Sequence, residues 1–110
     1  MAPGRREVVW AARARAALEA TVAYVAKDSL QSARKVLTDL LAGAASLAEF
    51  SERGRFVPEF MGTGIRELLV SSYRMIYEVS ERRVAIVAVL HQRQDFERWQ
   101  GSGAGGEPAP

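Results

Sequence analysis

Among the side chains of the C-terminal half with the chemistry to handle a phosphate group, Arg66, Arg74, His91 and Arg93 stand out by their placement on or beside strand-like runs. A guanidinium offers a planar fork of donors that grips carboxylate or phosphate through two parallel hydrogen bonds. It stays protonated above about pH 12, so none of these arginines can serve as a base. That role falls to His91, the chain's one histidine, whose side-chain type titrates near pH 6.5 when unperturbed; Tyr73 and Tyr77 are more distant substitutes. Trp99 and Phe96 could stack on a base, although packing of the C-terminal turn on the sheet is the better reading of both. Each group also has a structural role open to it. Arg74 can pair with Glu78 or Glu67, Arg66 can pair with Glu67 or Glu59, and a histidine closing a strand commonly serves as a hydrogen-bonded structural residue.

Other chemistries have no residues to run on. With no cysteine and one histidine, a thiol nucleophile, a disulfide and a zinc site all lack their ligands. No GxxxxGK[ST] loop, dinucleotide fingerprint or GxSxG elbow occurs. Phosphodiester cleavage stays open, because it can run on a few positioned cations and one proton carrier. No cofactor and no metal are expected. The formal charge of +2 leaves 15 basic side chains nearly balanced by 13 acidic ones, so charge permits a nucleic-acid ligand without indicating one. No apolar run approaches the roughly 20 residues of a membrane span. The N-terminal MAPGRREVVW lacks a following apolar stretch, so no secretory signal is expected. A staple-free core of this kind suits the cytoplasm.

The elements that must position these groups are legible from periodicity. Arg6 to Trp10 reads as an opening strand. Ala11 to Lys27 carries Ala14, Ala17, Leu18, Thr21, Val22 and Val25 at the three-and-four spacing of a one-faced helix. Asp28 with Gln31 fits a capping box that starts a second helix. In that helix Leu30, Ala33, Leu37, Leu40, Leu41, Ala44 and Leu47 form one stripe over about five turns. Gly43 is a mild weakness inside it, costing about 1 kcal/mol relative to alanine if exposed. Two such helices joined by so tight a break predict an antiparallel hairpin.

Residues 51 to 64 have no sustained period and read as a loop tethered by Phe56, Val57, Phe60 and Met61. Three strands follow, at Ile65–Val70, Tyr73–Val79 and Val84–Leu90, and their short breaks force antiparallel pairing. Alternation puts Tyr73, Met75, Tyr77 and Val79 on one face of the middle strand, with Arg74, Ile76 and Glu78 on the other. In the last strand it groups Val84, Ile86, Ala88 and Leu90 against Ala85, Val87 and Val89. Both sets are apolar, which predicts a central strand covered on both sides, with the helices on one side and a partner chain as a candidate for the other. The meander also places Arg66, Arg74, His91 and Arg93, scattered in sequence, on neighbouring strands. The expected fold is α+β: a small, mostly antiparallel sheet on an N-terminal helix hairpin, one domain over residues 1–100, then a flexible tail over 101–110.

The chain resembles the ParE/RelE superfamily of bacterial toxins. The resemblance rests on Gly54-Arg55-Phe56-Val57-Pro58-Glu59, Arg66-Glu67-Leu68, Tyr73-Arg74-Met75-Ile76-Tyr77 and Val89-Leu90-His91-Gln92-Arg93, in that order and spacing. It implies the toxin half of a type II toxin–antitoxin pair, neutralised by a cognate antitoxin that folds across it. RelE-like members cut mRNA on the ribosome with lysines and arginines on the sheet. Arg74 matches one expected arginine, and Arg93 fits the last cationic position after a one-residue shift. Trp99 approximates a C-terminal tyrosine. Ile65 and Glu67 stand where two lysines would be expected, and a carboxylate there repels phosphate. The resemblance therefore favours the ParE-like branch, which inhibits DNA gyrase by binding rather than by catalysis. Arg66, Arg74, His91, Arg93 and Trp99 are the candidate contacts with target or antitoxin. The alternatives are an mRNA endonuclease using Arg74, His91 and Arg93, and a non-toxic interaction module.

Overall fold

The computed structural model describes residues 5–60 and 62–92; Met61, Arg93, Phe96, Trp99 and the tail over 101–110 lie outside them. The chain runs β1 (Glu7–Trp10), α1 (Ala12–Ala26), α2 (Leu30–Ser46), β2 (Arg55–Phe56), a 3-10 turn (Pro58–Phe60), β3 (Ile65–Val70), β4 (Tyr73–Val79) and β5 (Arg83–His91). The sheet order is β1-β5-β4-β3-β2. Only β1–β5 is parallel; the other pairings are antiparallel. The expected α+β architecture is the one observed.

Helix α1 starts without a side-chain cap at Ala11. The Ala11 N–H instead donates to the Ile86 carbonyl at 2.9 Å, which ties the helix entry to β5. Helix α2 is capped by Ser29, whose hydroxyl accepts from the Ser32 N–H at 3.0 Å; the expected Asp28 box lies one residue too early. Along α2, Ala33, Leu40 and Ala44 are buried, whereas Leu30 and Leu41 at either side of the stripe remain exposed. Gly43 is a close-approach point rather than a weakness. A Cβ there would sit 3.0 Å from Val70 Cγ2, so its absence lets α2 settle onto β3.

The main core lies between the helices and the sheet, built from Ala14, Leu18, Leu40, Ala44, Leu47, Leu68, Met75, Tyr77, Val84, Ile86 and Val89. A second, smaller cluster covers the opposite face, where Val57, Ile76, Ala88 and Leu90 pack with Phe60, Ile65 and Val87. The chain therefore supplies cover on the face for which a partner was a candidate. Strand β5 is central and apolar on both faces, as expected, but strict alternation fails within it. Tyr77 pairs with Ile86 while Ile76 pairs with Ala88, so Val87 is an extra residue, a β-bulge. Beyond it the faces exchange: Val89 joins the main core, and Ala88 and Leu90 join the second cluster.

Between α2 and β3 the chain holds a strand that the sequence reading left in the loop. Arg55 and Phe56 pair with Glu67 and Arg66, and the approach is fixed by Tyr77. Its buried hydroxyl donates to the Ser51 carbonyl and accepts from the Gly54 N–H, both at 2.8 Å. A Cβ at Gly54 would lie 2.5 Å from the Glu67 carbonyl oxygen and from the Tyr77 hydroxyl, so no larger residue fits. Of the expected tethers, Val57 is buried and Phe60 partly so, while Phe56 is largely exposed.

Burial raises the Tyr77 phenol above its ordinary value near 10, outweighing the hydrogen bond from Gly54. A phenol more acidic in the unfolded chain than in the native one stabilises fully below pH 10, and that contribution is lost as pH climbs through the raised native value. Tyr77→Phe should cost about 2 kcal/mol, because it strands two buried backbone groups. It should also remove this part of the alkaline decline in stability, as read by urea unfolding across pH 8 to about 11.

Candidate functional site

The polar centre of the sheet is Glu67, a carboxylate whose side chain is only 1% exposed. Strand β3 aims it away from the helices, because it lies opposite Ile76 of the second cluster. Burying a carboxylate among apolar side chains is costly unless cations and hydrogen bonds compensate it. Arg55 Nε donates to Oε2 at 2.6 Å, while Arg74 brings both Nε and Nη2 within 2.6 Å of Oε1. Each carboxylate oxygen thus has its own guanidinium. Arg74 is itself largely buried at 15% exposure, whereas Arg55 is 70% exposed and forms the solvent side of the clamp.

Arg66 has a different task. Directly opposite Phe56 and Tyr77, it lies on the helix side of the sheet. Its Nη1 donates to the Gly54 carbonyl at 2.7 Å and to that of Glu52 at 3.3 Å. Its guanidinium carbon sits 4.0 Å from the centroid of the Phe56 ring, a cation–π contact. Arg66 therefore holds the Ser51–Phe56 segment in place, on the face of the sheet opposite the Glu67 side chain with which the sequence reading had allowed it to pair.

His91 ends β5 opposite Tyr73, and the two rings meet edge-to-face with centroids 5.6 Å apart. Tyr73 packs against the main core, so His91 emerges on the helix side. Arg74 lies opposite Leu90 of the second cluster. Arg66, Arg74 and His91 thus stand on the neighbouring strands β3, β4 and β5, as expected, with Arg66 and His91 on the helix side and Arg74 on the other. The bulge at Val87 separates His91 from Arg74, since without it His91 would share the Arg74 face; Arg66 is set apart from Arg74 by the β3–β4 register alone. Arg93 and Trp99 lie outside the described residues.

Arg55 is the member of the site that sequence reasoning missed. The only signal was its position in an aperiodic loop, and its role appears once β2 pairs Arg55 with Glu67. Elsewhere, a cleft of about 730 Å³ runs past Phe50 between Arg6 and Arg53. Its arginines are engaged by the chain: Arg6 donates to the Ser80 carbonyl and the Ser51 hydroxyl, and Arg53 donates to the Ser46 hydroxyl. Among the described residues no cluster of three His, Cys, Asp or Glu side chains is placed to hold a metal ion.

Three comparisons bear on this arrangement. The family model described as the ParE toxin of the type II toxin–antitoxin system, parDE, matches residues 8–96. Toxin RelE2 of Caulobacter vibrioides is 37% identical over 86 residues, covering 77% of this chain and 93% of that protein. In the solved chromosomal ParDE toxin–antitoxin system from P. aeruginosa, one chain superposes with a TM-score of 0.65 at 20% identity, over 80% of this chain and 97% of that one. At that identity the likeness is one of fold.

The clamp makes its two arginines unequal. Arg74→Ala leaves Glu67 buried without its deeper partner and should lower stability by about 3–5 kcal/mol. Arg55→Ala, at the solvent side, should cost about 1 kcal/mol or less. Urea unfolding midpoints measure both, and the reverse order would contradict the geometry.

Proposed function

Because the chain belongs to the ParE toxin family of type II toxin–antitoxin systems, we propose that it arrests growth in the cytoplasm by binding and inhibiting DNA gyrase, and that a cognate antitoxin silences it. The observation that carries this is the Arg55–Glu67–Arg74 clamp. A ribonuclease surface needs cations directed at a scissile phosphate and a proton carrier within hydrogen-bond reach of it. Here the buried arginine of the sheet already faces a carboxylate at 2.6 Å. Arg74 and His91 also project from opposite faces. What remains on the Arg74 side is Leu69, opposite it in the β3–β4 ladder and 48% exposed, beside the exposed Arg55. An exposed arginine is a residue type that protein interfaces use as an anchor.

The antitoxin has surface of its own to cover. Tyr24, Leu30 and Leu41 are exposed on the helix pair, and Leu41 borders a groove with Leu18, Val22 and Leu37 between the two helices. A segment that folds on binding gains affinity by burying such a groove. No described helix is long and apolar enough to cross a membrane.

Purified toxin should abolish supercoiling by gyrase, with cleaved DNA accumulating, and stoichiometric antitoxin should restore it. Full supercoiling at saturating toxin would overturn the proposal. Cleavage of mRNA on programmed ribosomes that disappears in Arg74→Ala would replace it with the endonuclease alternative.

A further inference from the structure

We propose that the Glu67 carboxylate occupies, from within the chain, the place of a phosphate group between Arg55 and Arg74, and that its side chain is what closes this face of the sheet to phosphate ligands. Carboxylate and phosphate are recognised alike by the guanidinium fork, through oxygens that accept charge-assisted hydrogen bonds. Two guanidiniums converge here on one anion, with each of its oxygens taken at 2.6 Å. Arg74 offers its Nε and Nη2, the edge that would otherwise face an incoming oxyanion. Ile76 opposite Glu67 and the second cluster around it keep the surroundings apolar, where such attraction is strengthened. Arg55, 70% exposed, marks the side open to solvent.

The scaffold of this site does not depend on Glu67's charge. Strand β2 is held by its ladder with β3, by the Tyr77 hydroxyl on Ser51 and Gly54, and by Arg66 on the Gly54 carbonyl and the Phe56 ring. Arg74 is placed mid-strand in β4, between β3 and β5. Removing the Glu67 side chain beyond Cβ would therefore vacate the volume now faced by Arg55 Nε and by Nε and Nη2 of Arg74. Glutamine at the same position would remove the charge but keep the volume filled. Charge and occupancy can thus be separated. The ligand class is the tetrahedral oxyanion, whether free phosphate or the backbone of a nucleic acid. Gyrase inhibition has no part in the reasoning, so a toxin without effect on gyrase would leave the inference intact.

The test compares wild type, Glu67→Ala, Glu67→Gln and Glu67→Ala with Arg74→Ala, each melted in sodium phosphate and in sodium chloride of equal ionic strength. Only Glu67→Ala should be stabilised saturably by phosphate, because a ligand that binds the native state alone raises its melting temperature. Its phosphate Kd should be at least tenfold tighter than that of wild type, and the gain should vanish when Arg74 is also replaced. If Glu67→Ala does not fold in chloride, return of its near-ultraviolet tyrosine circular dichroism in phosphate alone gives the same answer. A short single-stranded RNA without terminal phosphates then separates the sources: binding to Glu67→Ala extends the site to phosphodiesters, and its failure beside phosphate binding confines the site to free phosphate. A folded Glu67→Ala that responds to phosphate no more than wild type, or a chain that neither salt restores, overturns the proposal.

Discussion

A single carboxylate withdrawn from water sets the most demanding electrostatic constraint on this molecule. Glu67 sits mid-strand on the face of the sheet turned away from the helices, at 1% exposure, where an uncompensated charge would cost several kcal/mol. The fold meets that demand with Arg74 from β4 and Arg55 from β2. Each partner comes from a different strand, so the ion pairs also bind β2, β3 and β4 to one another. The apolar cluster of Val57, Ile76, Ala88 and Leu90 lies on the same face, and it makes the pairing obligatory rather than optional.

The segment supplying Arg55 is only two residues of strand, too little to hold itself. Its position is imposed from the other side of the sheet. Tyr77 bonds the backbone of Ser51 and Gly54, and Arg66 bonds Gly54 and covers Phe56. The two faces are thus coupled through the alternation of β2 and β3: Phe56 and Arg66 on the helix side, Arg55 and Glu67 on the other. Among the described residues, the arginine buried in the sheet is thereby committed to a carboxylate rather than presented to a nucleic-acid backbone.

Much of the architecture could be read from periodicity. Strands β3 and β4 run over the residues expected, β5 exceeds its expected range by one residue at each end, and both helices end within one residue of their patterns. The departures have identifiable causes. Strand β2 is shorter than the span over which alternation becomes visible, and it exists through tertiary contacts. Asp28 and Ser29 are both capping types, and side-chain pattern could not choose between them. The bulge at Val87 was hidden because β5 is apolar on both faces, so an extra residue leaves no mismatch in the pattern. That concealed shift also puts His91 on the face opposite Arg74. Pairing of Arg74 with Glu67 was among the outcomes the sequence allowed; the second guanidinium was invisible without the β2–β3 register.

The most direct test of the account is the energetic coupling between Arg74 and Glu67, measured as a double-mutant cycle of urea unfolding with each residue changed to alanine alone and together. If Glu67 is the partner for which Arg74 is buried, removing Glu67 first should make the loss of Arg74 nearly free, with a coupling energy of about 2 kcal/mol or more. An additive cycle, in which Arg74→Ala costs the same whether or not Glu67 is present, would contradict it.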